Sequence, residues 1–511
     1  MFRLTVHGDD RIARIEPEIY GHFTEHIGGV FYDGIWVGED SPVPNIRGLR
    51  LGLIEKLKAI GAPVIRWPGG CFAETYDWRD GIGPREDRPT RINWWQSYDG
   101  RYEPNSVGTH EFVDFCRLAG AEPYIAANIT SLTPLAIRDW IDYCNSPAGS
   151  TTLAREREKN GSAEPFNVRY WGVGNETWGG GGNMTGETYA HEFRRYAVIM
   201  KNACRDIELI CSGANHSDWH WANDVLRVLE PSLKKMDGLS LHFYCGSAGN
   251  PLSFTEEEWY RQLRQALDIG RAIDRNWGFV VGYGMEKYAR LVIDEWGCWH
   301  PAGSGPSVHM KEYGIEPAPN NPDCVGNLFE QQSTMRDGIV AAATLNLFNN
   351  NAEKIRMAAV AQLVNNLHSL FLAGGDRLIT TPTYHVFDMM KYHMGGEALR
   401  VSGDTGEIRR EKYSVPNLSV SASVREGVLS VTLANLSVTE AAGVSLELSG
   451  LIPEREAEIF ILTAGDPHAC NTYDEPGKVC LSRSTVPFDG SLTVPAFSAL
   501  TARIRLRTPK I

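Results

Sequence analysis

Apolar and polar positions along the chain follow two regimes. Up to about residue 385, short apolar runs alternate with stretches whose apolar residues recur at helical spacing. Eight runs read as buried strands. They are Glu18–Phe23, Pro63–Trp67, Pro123–Asn128, the run from Tyr170 towards Glu176, Leu209–Gly213, Leu239–Tyr244, the run from Leu291 to Glu295, and Met357–Gln362. Between them, Leu53, Leu57 and Ile60 keep helical spacing before a glycine, as do Tyr189, Phe193, Tyr196, Ala197 and Met200. Eight strands separated by helices predict an α/β fold, a (β/α)₈ TIM barrel over residues 18–385. Beyond it, Leu418, Val420, Ala422 and Val424 alternate with polar residues, as do Leu429–Leu433, Val444–Leu448 and Leu500–Leu506. That predicts a C-terminal antiparallel β-sandwich, jelly-roll-like, over residues 386–511 with residues 1–17 joining it. Each of its sheets is expected to keep one wet face.

Parallel barrels carry their chemistry where the strands end. Here the fourth strand ends in Asn175-Glu176, followed by Thr177-Trp178 and the glycine run 179–182, and the seventh ends in Asp294-Glu295-Trp296. Two strand-end glutamates among tryptophans fit a retaining glycosidase, which needs one carboxyl as acid and one carboxylate as nucleophile. Because successive strand residues point to opposite faces, only one of Asp294 and Glu295 is expected to aim at the cavity, and alternation does not choose between them. His242 and Tyr244, two apart on the sixth strand, share a face.

Composition narrows the picture. With 511 residues and a formal charge of −13, the chain fits two domains and disfavours nucleic acid or an anionic membrane as partner. No run has the roughly 18–20 apolar residues of a membrane helix. Without an apolar leader at the start, ten scattered cysteines read as reduced thiols, and the protein as cytoplasmic. His110-Glu111 and His191-Glu192 lack the second histidine of a zinc helix, and the Gly-Val-Gly at 172–174 lacks the third glycine of a dinucleotide fingerprint. No metal or cofactor is expected.

Seven motifs in order resemble the α-L-arabinofuranosidases of glycoside hydrolase family 51. They are Gly21-His22-Phe23-Thr24-Glu25-His26-Ile27-Gly28, Arg66-Trp67-Pro68-Gly69-Gly70, Asp77-Trp78-Arg79-Asp80-Gly81-Ile82-Gly83-Pro84, Trp171-Gly172-Val173-Gly174-Asn175-Glu176, Asp294-Glu295-Trp296-Gly297, Ala361-Gln362-Leu363-Val364-Asn365 and Thr381-Pro382-Thr383-Tyr384-His385-Val386-Phe387. The resemblance implies the same barrel and sandwich, with Glu176 as general acid/base and Glu295 as nucleophile. It implies sugar contacts from Glu25, Asn175 and Gln362, Tyr244 against the nucleophile, and Trp94 or Trp95 on the leaving-group side. Cys71 stands where the family commonly has Asn, so it is expected at a sugar contact. The loop Ile129–Pro134 lacks the family's Gly-Ser/Thr-Gly-Thr.

The function implied is exo-acting release of α-L-arabinofuranose, with retention, from arabinoxylan- or arabinan-derived oligosaccharides. The resemblance also implies a homo-oligomer, a hexamer in much of the family. Two rivals remain at this stage: a related barrel glycosidase for β-xylosides or β-glucans, and a catalytically inactive sugar-binding barrel.

Overall fold

The helix Leu51–Ile60 shows how the chain builds its repeating unit. Leu53, Ile54, Leu57 and Ile60 bury one face, and Gly61 ends the helix in the left-handed region at φ 67°, donating its N–H to the Leu57 and Lys58 carbonyls. Three residues on, the chain enters a fully buried strand, Val64–Trp67. The computed structural model describes residues 1–96, 100–216, 218–230, 235–300, 317–318, 321–325 and 328–507.

Eight such strands close into a parallel barrel in chain order. They are Gly21–Phe23, Val64–Trp67, Glu122–Ala127, Tyr170–Val173, Glu208–Asn215, Gly238–Gly246, Arg290–Trp299 and Ile355–Ala361. Each falls on one of the eight runs read from sequence. Val64, Tyr124, Tyr170, Ile210, Val292 and Met357, from six strands, form a separate apolar cluster that fills the barrel interior. Beside it, Tyr170 donates its hydroxyl to Glu18 at 2.7 Å, and Arg356 pairs with the same carboxylate at 3.0 Å.

Two of the strands carry an extra residue. Ser240 and His242 on the sixth strand pair with Val292 and Glu295 on the seventh, so three steps of one strand oppose two of the other. The fifth strand does likewise, Cys211 and Ala214 facing Leu239 and Leu241. These bulges re-aim side chains at the mouth of the barrel.

The second regime forms one nine-stranded sheet. The opening strand Phe2–Arg14 lies inside it, antiparallel to Glu397–Gly403 and parallel to Ala442–Ser449. Leu4, Val6, Leu429, Val431, Ala457, Ile459, Leu492, Val494 and Ile504 share one core although they come from both ends of the strand order, so the sheet curls over itself. Four strands lie outside the alternating runs described above: Glu397–Gly403, Pro453–Leu462, Leu481–Pro487 and Ser491–Val494, the last of which alternates over only four residues. Leu481–Pro487, at one edge, is exposed over most of its length, so no buried face marks it.

The expectation of a wet outer face needs correcting on the central strands. Ser421, Ser423, Ser430, Thr432 and Thr501 alternate with the core residues, yet all are buried. Their hydroxyls meet the barrel's outer shell: Ser421 Oγ donates to Asn346 Oδ1 at 2.7 Å, and His393 bridges Ser423 and Thr432 at 2.8 Å each. Small polar side chains satisfy a dry interface here as well as a wet one, and alternation cannot distinguish the two.

Candidate active site

The chemistry-bearing residues sit where the strands end. Glu25 follows the first strand and is buried. Its Oε1 accepts from the Phe72 backbone and from Trp95 Nε1 at 3.0 Å each, and its Oε2 accepts from Gln362 Nε2 at 3.1 Å. Gly70, after the second strand, lies between two carboxylates: a Cβ there would come within 3.2 Å of both Glu25 Oε2 and Glu295 Oε1. A side chain there would have to push one of these held carboxylates aside by a few tenths of an ångström.

The fourth strand runs out at Val173, and Glu176 takes a left-handed backbone, φ 42°, uncommon for a side chain of this kind. Glu176 Oε1 lies 2.8 Å from His242 Nδ1, and Cys71 Sγ lies 3.6 Å from Oε2. The glycine run closes over the same corner. A Cβ on Gly180 would meet Cys71 Sγ at 2.9 Å and the Trp94 ring at 3.1 Å. Trp94 packs edge-on against Trp95, with centroids 4.4 Å apart. Of this pair, Trp95 holds Glu25 and Trp94 lines the Cys71 corner.

Glu295 takes two donors and has the His242 ring close by. Arg66 Nη1 reaches Oε1 at 2.8 Å, the Tyr244 hydroxyl donates to Oε2 at 2.8 Å, and His242 Nδ1 lies 3.4 Å from Oε2. Asp294 also points inward, against the expectation from alternation. Its Oδ2 accepts from Tyr124 at 2.8 Å, and its Oδ1 lies 3.2 Å from His242 Nε2. The bulge between Val292 and Glu295 is the reason: the extra residue breaks the alternation that would have sent one of the two outward.

Three residues with no assigned role in the sequence reading complete the constellation. Arg66 is fully buried, joining Glu295, Asn175 Oδ1 at 2.6 Å and, more loosely, Asp294 at 3.6 Å. Its sequence signals were a charge inside an otherwise apolar strand and its place at the head of the Arg66-Trp67-Pro68-Gly69-Gly70 motif. Glu74, also buried, accepts from three backbone N–H groups: Asn175 at 2.6 Å, Ile129 and Thr130 at 3.0 Å. Nothing in its local sequence marks it. Asp294, set aside as the rival of Glu295, is the third.

Burial opposes charge on Arg66 and His242, but the carboxylates of Asp294 and Glu295 prevail. They raise His242 to about 10 and hold Arg66 protonated. Burial would lift Asp294 too, yet Arg66 and His242 bring it well below the usual carboxylate range. Burial pushes the Glu295 carboxyl up, His242 and Arg66 pull against it and Glu176 adds to it. The donors on both of its oxygens favour the anion, but its carboxyl still lies above its ordinary value. Two cations, Arg66 and His242, thus face the carboxyls of Asp294 and Glu295. Burial lifts Glu25 and Glu74 to about 7 despite their N–H donors. Asn175 Nδ2 and Gln362 Oε1 are buried with no partner among the described residues, a donor and an acceptor.

One atom each from Glu176, His242 and Glu295 lie within 4.8 Å of one another. All nine residues picked from sequence (Glu25, Cys71, Trp94, Asn175, Glu176, His242, Tyr244, Glu295 and Gln362) belong to one connected cluster.

Glu74→Gln is expected to lower kcat about ten- to a hundredfold, with KM less changed. An amide nitrogen would face a backbone N–H, and a lost hydrogen bond to a charged or polarised group is worth roughly 1.5–3 kcal/mol. Steady-state kinetics on an aryl glycoside check this, and an unchanged kcat refutes a positioning role for Glu74.

Comparison with known proteins agrees along the length of the chain. The α-L-arabinofuranosidase 1 domain matches residues 56–256 and the α-L-arabinofuranosidase C-terminal domain residues 294–498. An intracellular exo-α-L-arabinofuranosidase of Bacteroides ovatus is 36% identical over 484 residues, 93% of this chain and 89% of its own. A GH51 arabinofuranosidase from Xanthomonas axonopodis pv. citri superposes with a TM-score of 0.89 at 36% identity, covering 99% of each chain. An α-L-arabinofuranosidase from Thermotoga maritima, solved in an arabinose complex, gives 0.82 at 31% identity over 99% of this chain and 100% of its own.

Proposed function

Since the chain belongs to the α-L-arabinofuranosidases of glycoside hydrolase family 51, we propose that it releases terminal non-reducing α-L-arabinofuranose by double displacement, with Glu295 as nucleophile and Glu176 as acid/base. The observation that carries this reading is the closeness of the two carboxyls, with oxygens within 4.8 Å. Retaining glycosidases keep the pair about 5–5.5 Å apart, whereas inverting ones leave ~6.5–9.5 Å for a water.

In the first step a Glu295 oxygen attacks the anomeric carbon while Glu176 gives its proton to the departing glycosidic oxygen. A glycosyl ester on Glu295 and the free aglycone result. Glu176, now a carboxylate, takes a proton from water, whose oxygen attacks the same carbon, and arabinose leaves with its configuration retained. Arg66 and the Tyr244 hydroxyl orient Glu295, and His242 sits between the two glutamates. Asn175 Nδ2 and Gln362 Oε1, both without a partner among the described residues, suit sugar hydroxyls, with Glu25 beside them. Cys71 and Trp94 line the Glu176 side of the pocket.

Arabinoxylan- or arabinan-derived oligosaccharides are the substrates this reading favours. It also divides the chain into a barrel at 18–385 and a sheet domain at 1–17 plus 386–511. We extend it to a cytoplasmic homo-oligomer, a hexamer, acting away from membranes and nucleic acid. No helix among the described residues is long and apolar enough to cross a membrane.

The test is a panel of 4-nitrophenyl glycosides with the product anomer followed by NMR. The α-L-arabinofuranoside is expected to be the preferred substrate and the α-anomer of arabinose the first product. An inert arabinofuranoside beside an active β-xyloside or β-glucoside refutes the sugar assignment. First formation of the β-anomer refutes double displacement.

A further inference from the structure

A pocket of about 380 Å³ lies between the end of the sixth strand and the helices Glu256–Leu267 and Ile269–Gly282. Phe243 comes from the strand, His216 from just past the fifth strand, and Gln265, Arg271 and Arg275 from the helices. Small-molecule sites are commonly roughly 300–1,000 Å³, so the space is large enough for one sugar ring.

The pocket adjoins the catalytic centre on its leaving-group side. Tyr244 lines it and also donates its hydroxyl to Glu295. His216 gives its backbone N–H to the His242 carbonyl at 2.8 Å, and the charges of His242 and Glu176 both act on its ring. In barrel order Glu176 follows the fourth strand, His216 the fifth, and Tyr244 stands on the sixth. The pocket therefore flanks the carboxyl that protonates the departing oxygen. Burial, and then His242, push the His216 imidazole below its ordinary value, so at neutral pH it is an uncharged partner for a hydroxyl.

Its helix wall is cationic, on a chain whose formal charge is −13. Arg271 and Arg275 stand one helical turn apart. The one carboxylate among them, Asp268, pairs with Arg264 at 2.8 Å and lies 3.8 Å from Arg271. Three guanidinium groups thus face a single carboxylate. Among the described residues, the side chains of Arg275, Gln265 and His216 have no hydrogen-bond or ion-pair partner. Phe243 and the His216 ring, with centroids 4.8 Å apart, give the pocket an aromatic wall.

We propose that this pocket is a leaving-group subsite for a uronic acid, so that the enzyme favours arabinofuranosyl oligosaccharides whose remaining chain bears a carboxylate. The inference rests on the arabinofuranosidase reading above and narrows its substrate class. A guanidinium takes a carboxylate through two parallel N–H bonds, which fits Arg275 with Arg271 beside it. The aromatic wall suits the apolar face of a sugar ring, and Gln265 and His216 supply hydrogen bonds for its hydroxyls. A neutral sugar would leave the arginines to water and gain nothing from them.

The experiment gives the full chain two arabinofuranosylated xylo-oligosaccharides of equal length, one neutral and one with a glucuronic acid branch, beside 4-nitrophenyl α-L-arabinofuranoside. KM for the acidic one is expected to be roughly five- to tenfold lower at similar kcat, the scale of one or two charge-assisted contacts at a part-exposed site. Raising the salt should shrink the difference. Arg275→Gln should bring the two KM values together, and Arg275→Lys should keep part of the gap. The neutral oligosaccharide is the reference within each variant, so a folding defect does not imitate the result. Free glucuronate and free galacturonate should compete with the acidic substrate, and the stronger of the two identifies the uronic acid. Equal KM values in the unsubstituted protein, with the aryl arabinofuranoside hydrolysed, overturn the subsite alone. An inert aryl arabinofuranoside instead refutes the reading it rests on. A preference that survives Arg271→Gln and Arg275→Gln together also overturns the subsite. So does inhibition by inorganic phosphate as strong as by either uronate at matched ionic strength, which would mark a general anion site.

Discussion

Glu295→Ala is expected to cut hydrolysis of 4-nitrophenyl α-L-arabinofuranoside on the order of 10⁴- to 10⁶-fold, the scale on which losing a nucleophile is felt. The variant keeps Arg66, His242 and Tyr244 but loses the atom they orient. Azide fits the space left by the carboxylate and should restore turnover, giving the β-azide because it attacks the face opposite the leaving group. Glu176→Ala makes the contrast. It should slow substrates with poor leaving groups by roughly 10²–10⁴-fold, spare activated aryl substrates more, and give the α-azide by trapping the glycosyl ester. Activity above a few per cent in Glu295→Ala, or the same azide anomer from both variants, would reverse the assignment.

Arg66→Ala is the second large effect, and it acts on folding as well as chemistry. One guanidinium holds Glu295, Asn175 and, at longer range, Asp294 in a place with almost no solvent. Removing one partner of a buried pair costs about 3–5 kcal/mol, because the carboxylates stay behind unpaired. The unfolding midpoint should fall by several degrees. The sign of the pH effect follows from the same charge. Arg66 favours the ionised form of Glu295, so its loss raises that carboxyl further, and the acid limb of kcat/KM moves to higher pH. Arg66→Lys keeps the charge but loses the planar fork, so it should recover part of the midpoint without restoring the double hold on Glu295 and Asn175. A variant with the original midpoint and the original acid limb would show that Arg66 does not orient the nucleophile.

Much of this site was legible because it is local. Asn175 and Glu176 follow a four-residue buried strand and precede a glycine run, and that arrangement can be read from neighbours in sequence. His242 and Tyr244 share a face by strand alternation alone. The same rule misplaced Asp294. A bulge is set by how two strands pair, and the seventh strand's extra residue has no signature of its own. Glu74 was invisible for a related reason. Its partners are the backbone of Ile129, Thr130 and Asn175, brought to it by the third and fourth strands.

By itself, then, the sequence determined the eight strands, the alternating sheet after them and the glutamates at the strand ends, since hydrophobic period and chain order are properties of neighbouring residues. Tertiary structure decided which buried charges meet. It set Arg66 against two carboxylates, turned both Asp294 and Glu295 inward, and covered the hydroxyl face of the sheet with the barrel. Burial and pairing are set by residues hundreds of positions apart, and only closing the barrel puts them within reach of one another.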